Sequence, residues 1–381
     1  MIPLPLPSRL PEVGVSIFSR MSKLALEENA INLSQGFPDF PVSEELMDLI
    51  YVNMKRGHNQ YAPMPGVPVL RQAIAQVVEQ TYQRPTDAEQ EVTITAGGTE
   101  ALFAAIAAYV RPGDEVLMFD PAYDSYDPAI RLNGGIPVHI HLNPPQFAID
   151  WSEVKNKISS RTRMILINSP HNPTGAVLSA KDLEELQEIV LRHPMIILSD
   201  EVYERLIFDG HHHHSVLAYP LLKDRSIAVF SFGKTFHATG WKVGYVVAST
   251  ALTQEIRKTH QFITFSVNTP VQWALADYLK NPANYRGLGS FYQQKRDFFL
   301  KQIEGSSFRP LPCQGSYFQL LAFTGPRSDR EMAEHLTRVH KVAPIPVSAF
   351  YKDGTDHQLL RFCFAKKEET LQQAGDILRK I

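Results

Sequence analysis

Four motifs place side chains of different chemical types directly after apolar runs. The types are a glycine-rich turn, an amide, a carboxylate followed by a phenol, and an amine. In chain order the motifs are Ala96-Gly97-Gly98-Thr99-Glu100-Ala101, Asn168-Ser169-Pro170-His171-Asn172-Pro173-Thr174-Gly175, Ser199-Asp200-Glu201-Val202-Tyr203 and Ser231-Phe232-Gly233-Lys234-Thr235. Groups of these types can bind an anion, orient a polar ligand, pair with a cation and attack a carbonyl carbon.

The Gly97-Gly98 turn is a candidate phosphate site. It follows a strand-like run that begins at Glu91 and precedes a helical segment, whose first free N–H groups and dipole favour an anion. Taken alone, the pattern fits an ordinary tight turn equally well. It is neither a dinucleotide fingerprint nor a P-loop, because GxGxxG and GK[ST] are both missing.

Asn172 and Asp200 lie beyond two other apolar runs. Two prolines and a glycine make the Asn172 segment a rigid turn, which would fix the amide for hydrogen bonds to a cofactor hydroxyl and a substrate carboxylate. Asp200 ends the run MIILS. A carboxylate placed there needs a cation or several donors.

Lys234 follows the run IAVF. An arbitrary lysine is usually a solvated surface group. At a crowded strand edge, however, desolvation and neighbouring cations lower the pKa of a lysine, and its amine becomes a nucleophile suited to Schiff-base formation.

The elements that must position these groups follow an alternating pattern. Helices are predicted over 43–56 and 67–82, and from residue 91 onward β-rich runs alternate with helical ones. Six strands are predicted at EVTIT (91), EVLMF (115), MILIN (164), MIILS (195), IAVF (227) and VGYVV (243). Such alternation predicts a largely parallel sheet covered by helices, with ligands at the carboxyl ends of its strands.

A second, different pattern occupies the C-terminal part of the chain. A long helical stretch over 252–279 is predicted to lead into it. The predicted elements beyond are helices near 290–303, 329–340 and 368–379 and strands near 317–322 and 359–364. We therefore expect a second, smaller domain there.

Composition excludes several classes of function. Of 381 residues, 38 are Lys or Arg and 40 are Asp or Glu, with a net charge of -2, so neither nucleic acid nor an anionic membrane is an expected partner. No apolar run is long enough to span a membrane. Two cysteines, Cys313 and Cys363, are too few for a disulfide framework, which favours a cytoplasmic protein.

Two local features complete the sequence. The early prolines of MIPLPLPSRLPEVG predict an extended N-terminal arm. The run from His211 to His214 lies in a polar segment without a nearby set of carboxylates or cysteines, which predicts a solvated loop and no metal site.

The order and spacing of the motifs resemble the class I aminotransferases of the fold-type I pyridoxal-phosphate family. The resemblance runs from about Asn32 to the C-terminus. It rests on NLSQGFP (32–38), Tyr61 in NQYAPMPG, AGGTEAL, HNPTG, SDEVY, SFGK followed by GWKVGY, and Arg361 in LLRFCFA. Within the family, LSQGFPDF, NQYAPMPG and FSFGKTFHATGWKVGY are most similar to the methionine, aromatic and kynurenine aminotransferase branch.

The resemblance implies an α/β fold with two domains. Its large domain holds a mostly parallel seven-stranded sheet flanked by helices, and its smaller C-terminal domain is α+β. The expected boundaries are 1–42 for the N-terminal arm and part of the small domain, 43–280 for the large cofactor-binding domain, and 281–381 for the small domain.

The resemblance also implies pyridoxal 5'-phosphate as cofactor and assigns residues to it. Lys234 would bind the cofactor covalently and later carry the substrate proton, while Asp200 would pair with the ring nitrogen. Tyr203 and Asn172 would hydrogen-bond the phenolic oxygen, and Tyr123 would stack on the ring.

The same resemblance implies the phosphate site and a homodimer. The backbone of Gly98 and Thr99 would hold the phosphate together with Ser231 and Lys242. Lys242 stands where the family usually has arginine, and a lysine supplies a point charge without a planar fork. Tyr61 would reach the phosphate of the neighbouring subunit's cofactor, so complete sites would require the dimer.

For the substrate, the resemblance assigns the α-carboxylate to Arg361, with Gly36 and Asn172 beside it. The motifs place no second arginine for an acidic side chain, so neutral donors are favoured. Phe37, Tyr61, Phe265 and Phe350 are candidates for an apolar side-chain pocket or for the core.

The implied reaction moves the amino group of a neutral L-amino acid, methionine, aromatic or kynurenine-like, to a 2-keto acid through a ping-pong scheme with a pyridoxamine intermediate. The alternative is a pyridoxal-phosphate-dependent carbon–sulfur β-lyase, which needs the same residues. A regulator built on this fold is disfavoured because Lys234 is retained, and a nicotinamide oxidoreductase because the fingerprint is missing.

Overall fold

The computed structural model describes residues 7–381. The first six residues of the predicted proline-rich arm lie outside the described part, and residues 7–14 contain no helix or strand. No helix of the described chain is long and apolar enough to cross a bilayer.

The described residues form thirteen strands, most of them short. In chain order these are β1 (Ile31–Asn32), β2 (Val92–Thr95), β3 (Glu115–Asp120), β4 (Ile136–His141), β5 (Thr162–Asn168), β6 (Ile196–Asp200), β7 (Ser226–Ser231), β8 (Gly244–Ala248), β9 (Arg309–Pro310), β10 (Phe318–Ala322), β11 (Val342–Ala343), β12 (Ile345–Pro346) and β13 (Leu359–Cys363).

The same residues form fourteen α-helices. They are α1 (Ile17–Glu27), α2 (Glu44–Lys55), α3 (Pro68–Tyr82), α4 (Gly97–Tyr109), α5 (Tyr126–Leu132), α6 (Trp151–Lys157), α7 (Ala180–Arg192), α8 (Phe232–Thr235), α9 (Thr250–Ile263), α10 (Thr269–Tyr278), α11 (Ala283–Arg286), α12 (Leu288–Gln302), α13 (Asp329–Arg338) and α14 (Glu368–Leu378).

The predicted mostly parallel sheet of seven strands is confirmed. Its strand order is β2-β8-β7-β6-β5-β3-β4, and β8 alone runs antiparallel to its two neighbours. The six predicted strands coincide with β2, β3, β5, β6, β7 and β8. The edge strand β4 was not predicted, because Pro137 and two histidines interrupt its apolar pattern, a composition that an edge tolerates.

The central strands are buried on both faces, which explains their continuous apolar runs. Ile165 and Ile197 face one hydrophobic core, whereas their neighbours Leu166 and Leu198 face the other, as the two-residue period of a strand requires. Asn168 pairs in register with Asp200 at the ends of β5 and β6. The two polar side chains therefore emerge at the same carboxyl edge of the sheet.

A smaller antiparallel sheet lies in the C-terminal part of the chain. Its order is β12-β13-β10-β9. It shares a hydrophobic core with α12 to α14, and Met21, Leu24 and Leu33 from the N-terminal segment belong to the same core. β1 also pairs in parallel with β11. The domain boundaries given above stay a prediction.

The predicted single helix over 252–279 is wrong, because two helices occupy that stretch. α9 ends at Ile263, Phe265 adopts a left-handed φ of 65°, and Asn268 caps α10 by accepting a hydrogen bond from the Val271 N–H. Pro270 lies in the first turn of α10. A proline has no N–H to donate to a preceding turn, so it suits the first turn of a new helix and not the interior of a continuous one.

The histidine run is only partly the solvated loop that the sequence predicts. His211 and His212 are exposed, but the side chain of His213 is 7% exposed and its Nε2 lies 2.7 Å from Glu201 Oε2. Glu201 is buried beside Asp200, and a buried carboxylate needs such a partner. Within residues 7–381 no group of three histidines, cysteines or carboxylates could hold a metal ion.

Candidate active site

A cavity of about 320 Å³ lies at the carboxyl edge of the large sheet. It brings together most of the residues that the sequence singled out. Its lining includes Gly36, Gly98, Thr99, Tyr123, Asn172, Asp200, Tyr203, Ser231, Lys234, Lys242 and Arg361.

The glycine-rich turn forms one end of the cavity. α4 begins at Gly97, which has a left-handed φ of 80°. Gly244 at the start of β8 packs directly on this turn, since a Cβ there would lie 2.6 Å from Phe230 O and 3.0 Å from Gly98 N. The N-cap of α4 makes no side-chain hydrogen bond, and Gly97, Gly98 and Thr99 all line the cavity.

Lys242 places its amine against the same turn. A Cβ at Gly97 would lie 3.4 Å from Lys242 Nζ, and Lys242 forms no ion pair among residues 7–381. A cation beside the positive end of a helix is unfavourable unless an anion lies between them. The arrangement therefore fits an anion such as a phosphate.

Asp200 is a buried carboxylate held by donors but by no cation. Tyr126 donates a hydrogen bond of 2.6 Å to Oδ2, and the Val202 N–H donates one of 3.3 Å to Oδ1. Asn168 Nδ2 also donates to the Asp200 backbone carbonyl at 2.8 Å. Burial raises the pKa of Asp200 to about 6, although the Tyr126 and Val202 hydrogen bonds and the charge of Lys234 oppose the change.

Lys234 lies on the one-turn helix α8. Its Nζ is 3.0 Å from the Tyr317 hydroxyl oxygen and 3.3 Å from the Gly36 carbonyl oxygen. Burial lowers the pKa of Lys234 to about 8, and the positive charges of Arg361 and Lys242 act in the same direction. The side chain is therefore a partly deprotonated amine near neutral pH.

Arg361 is a buried guanidinium at the opposite end of the cavity. Its Nη1 donates to Asn172 Oδ1 at 2.8 Å and its Nη2 to the Ser34 carbonyl at 2.9 Å, while Nε has no partner. The guanidinium lies 3.9 Å from the Phe318 ring centroid. Burial lowers the pKa of Arg361 to about 10. A buried cation paired with no carboxylate in the described chain is poised for an anionic ligand.

The Asn172 turn is fixed by its own hydrogen bonds. Asn168 Oδ1 accepts from the Asn172 N–H at 2.8 Å, and His171 Nδ1 lies 2.7 Å from Thr174 Oγ1. Gly175 has a left-handed φ of 75°. The amide of Asn172 is therefore held toward Arg361 before any ligand binds.

Two further tyrosines, Tyr203 and Tyr123, line the cavity together with Asp200. Tyr203 is 3% exposed, and burial raises its pKa far above the usual range. Tyr123 lies in the lining beside Tyr126, with ring centroids 5.6 Å apart.

The aromatic residues proposed for a side-chain pocket lie apart from this lining. Phe37 and Tyr61 are 46% and 81% exposed, and neither lines the cavity of the described chain. Tyr61 packs edge-on against Phe265 with centroids 5.3 Å apart. Phe350 is buried, and the Arg361 guanidinium lies 5.1 Å from its ring centroid.

Sequence reasoning missed two tyrosines that contact the central groups, Tyr126 and Tyr317. Tyr126 begins the short helix α5, where no apolar period or glycine marks it. Tyr317 directly precedes β10. Only its position after Gly315 and Ser316, at a strand start, could have drawn attention to it.

Comparisons with known proteins agree on one family. The family model for aminotransferases of class I and II matches residues 28–378. A methionine aminotransferase of Escherichia coli is 50% identical and aligns over 98% of each chain. A kynurenine–oxoglutarate transaminase of Dictyostelium discoideum is 35% identical over 97% of this chain and 94% of its own.

A solved structure shows the same likeness in three dimensions. The crystal structure of an Escherichia coli protein identified as having methionine aminotransferase function matches with a TM-score of 0.97. The two chains share 49% sequence identity, and the match covers 100% of each.

The raised pKa of Asp200 predicts a pH dependence of stability. Because the pKa is about 6 in the folded chain against an ordinary 3.8, the folded state keeps a proton that the unfolded state has lost between these values. The free energy of unfolding of the ligand-free wild-type chain should therefore fall, relative to Asp200→Asn, by on the order of 2 kcal/mol as pH rises from 4 to 7. Above pH 7 the difference should be level.

Urea unfolding of both ligand-free proteins at pH 4, 5, 6 and 7 measures this difference. Other carboxylates titrate equally in the two proteins and cancel in the comparison. Parallel curves for wild type and variant over the whole range would contradict the placement of Asp200 in a buried setting without an ion-pair partner.

Proposed function

Since the chain belongs to the class I and II aminotransferases and is an aminotransferase, we propose that it uses pyridoxal 5'-phosphate and prefers a neutral, methionine-like or aromatic amino donor. One observation supports this proposal most directly. A buried amine, a carboxylate without a cation and a guanidinium without an anion, those of Lys234, Asp200 and Arg361, line a single cavity.

The residues present fit this cofactor. Lys242 and the N-terminus of α4 leave a positive setting that an anion would complete. Asp200 is held by donors without a cation, as suits a partner that brings its own N–H. Gly98 lets the turn pack closely on Val202, since a Cβ there would lie 3.0 Å from Val202 Cγ1.

Lys234 would act at the reactive carbonyl of the cofactor, and Asp200 at its ring nitrogen. When bound, pyridoxal phosphate supplies a reactive carbonyl carbon and a conjugated ring that accepts electrons from the substrate α-carbon. Lys234 Nζ, with its lowered pKa, would bind that carbon and, once released, take the proton from the substrate α-carbon. The Asp200 carboxylate would keep a proton on the ring nitrogen.

Other lining residues would fix the ring and the phosphate. Tyr203 and Asn172 would hold the phenolic oxygen, and Tyr123 would cover the ring face. The phosphate would be held by the backbone of Gly98 and Thr99, the Ser231 hydroxyl and the Lys242 amine, which offers a point charge in place of a bidentate fork.

Substrate class follows from the charges that the cavity provides. Its cationic lining residues are Lys234, Lys242 and Arg361, and each already has an assignment. Arg361, oriented by Asn172, would bind the α-carboxylate beside Gly36. In the described lining no further cation is available for a second carboxylate, so an acidic donor would leave a charge unpaired.

We also propose a cytoplasmic homodimer. Tyr61 and Phe262 are 81% and 89% exposed, and aromatic side chains left in solvent favour a contact with another subunit. In that dimer Tyr61 would reach the phosphate site of the neighbouring subunit. Both cysteines are free and buried, which favours a reducing compartment.

Lys234→Ala tests the central residue. Purified variant supplied with the cofactor should lack the long-wavelength absorbance of a lysine-bound cofactor, and amino transfer should fall by at least about 10⁴-fold, because nucleophile and proton carrier are removed together. Lys280→Ala is the matched control, since Lys280 is an exposed surface lysine paired with Asp277. A lysine-linked chromophore that survives in Lys234→Ala would refute the assignment.

Donor preference tests the substrate class. With a 2-keto acid acceptor in excess, kcat/KM for methionine or phenylalanine should exceed that for aspartate by at least about tenfold, the discrimination expected when a buried charge is left unpaired. Steady-state rates with each donor measure the ratio. A clear preference for aspartate would overturn the neutral-donor proposal.

A further inference from the structure

Tyr317 contacts the amine of Lys234 although no step assigned so far uses it. Lys234 Nζ lies 3.0 Å from the Tyr317 hydroxyl oxygen, and the hydroxyl itself donates to the Gly36 carbonyl. A phenol has a single proton to donate. That proton is engaged by Gly36, so the lone pairs of the Tyr317 oxygen are left to accept from Lys234.

The surroundings hold the Tyr317 ring in place. The side chain is fully buried, and it packs edge-on against Tyr203 and Phe318, with centroid distances of 5.0 Å and 4.8 Å. Its backbone is fixed as well. Ser316 is left-handed with φ 66°, and Gly315 donates its N–H to the Gly175 carbonyl at 2.9 Å.

The Tyr317 phenol is also suited to hold an amine without fixing its charge. Burial raises the pKa of Tyr317 well above its usual range, so the hydroxyl stays neutral. A carboxylate at this position would favour the ammonium form of Lys234 strongly. A neutral oxygen acceptor stabilises the ammonium only modestly and leaves the amine able to lose its proton.

The contact lies on the substrate side of the cavity. Gly36, which accepts from both Lys234 and Tyr317, follows closely after Ser34, whose carbonyl accepts from Arg361 Nη2 at 2.9 Å. An amine held at Gly36 is therefore held near the segment that meets the guanidinium. A released lysine must stay in this region, because its next task is at the substrate α-carbon.

We propose that Tyr317 is a positioning residue that accepts a hydrogen bond from Lys234 and holds its free amine on the substrate side of the cavity between covalent attachment and proton transfer. This inference rests on the proposed function, in which Lys234 is both nucleophile and proton carrier. It adds a residue that acts through Lys234 and has no assigned contact with cofactor or substrate.

Tyr317→Phe removes the hydroxyl and keeps the ring. Loss of an acceptor disfavours the ammonium form, so the pKa of Lys234 should fall and its amine should react faster near neutral pH. The full chain, freed of cofactor, is labelled with cyanate between pH 6 and 10, and the label is quantified on the Lys234 peptide. At pH 7 the variant should be labelled roughly threefold faster than wild type. In the holoenzyme, kcat should fall about tenfold with KM for methionine changed by less than about threefold.

Faster labelling of the amine together with a lower kcat distinguishes a positioning role of Tyr317 from a role in packing alone. Tyr292→Phe is the matched control, because Tyr292 is also a buried tyrosine and its ring centroid lies 5.9 Å from that of Tyr317. Its hydroxyl lies 2.8 Å from His237 Nδ1 and makes no hydrogen bond to Lys234. It should leave the labelling profile and kcat within about twofold of wild type. Should Tyr317→Phe fold poorly, a fluorinated tyrosine at position 317 keeps the shape with a weaker acceptor and should shift both quantities in the same directions by less.

Two results would overturn the proposal: a labelling profile of Tyr317→Phe that superimposes on wild type, whatever the turnover, or an unchanged kcat despite faster labelling. The labelling arm needs no turnover. Absence of amino transfer in the wild-type chain with every donor would thus contradict the proposed function and leave the Lys234 contact to be decided by labelling.

Discussion

The burial of Asp200 without a protein cation is the constraint around which the site is organised. A carboxylate in an apolar setting is costly unless donors or a cation meet it. Tyr126 and the Val202 N–H supply two donors, and the charge of Lys234 helps in part. Asp200 still has no ion-pair partner, and a cofactor with a protonated ring nitrogen would supply one. Arg361 has the opposite need, because its Nε has no hydrogen-bond partner in the described chain and the guanidinium lacks an anion.

The fold brings these groups together at one edge of the large sheet. Parallel strands β5, β6 and β7 are covered on both faces by hydrophobic cores, which fix where their carboxyl ends lie. In-register pairing puts Asn168 beside Asp200, and Ser231 ends the next strand before α8 presents Lys234. Three chemically different groups thus converge because three strands end at one edge.

The sequence predicts the sheet and the central groups because both leave local signals. Continuous apolar runs mark strands buried on two faces, and Asp200 and Lys234 stand out as polar residues directly after such runs. Tyr126 and Tyr317 leave none, since their roles depend on contacts with residues distant in the chain, 74 positions for Tyr126 with Asp200 and 83 for Tyr317 with Lys234. The burial of His213 was not predicted either, because a loop brings it back to Glu201, 12 positions earlier in the chain.

An absorbance spectrum of the purified protein loaded with pyridoxal phosphate, taken before and after methionine is added without any keto acid, shows whether Lys234 binds the cofactor and whether the cofactor takes the amino group. We expect the long-wavelength band of the lysine-bound cofactor to be replaced by the band of the aminated cofactor, with one equivalent of keto acid released. A band that persists while a sulfur amino acid yields pyruvate and ammonia would contradict amino transfer from methionine and favour a β-lyase. No band even with added cofactor would contradict the cofactor assignment itself.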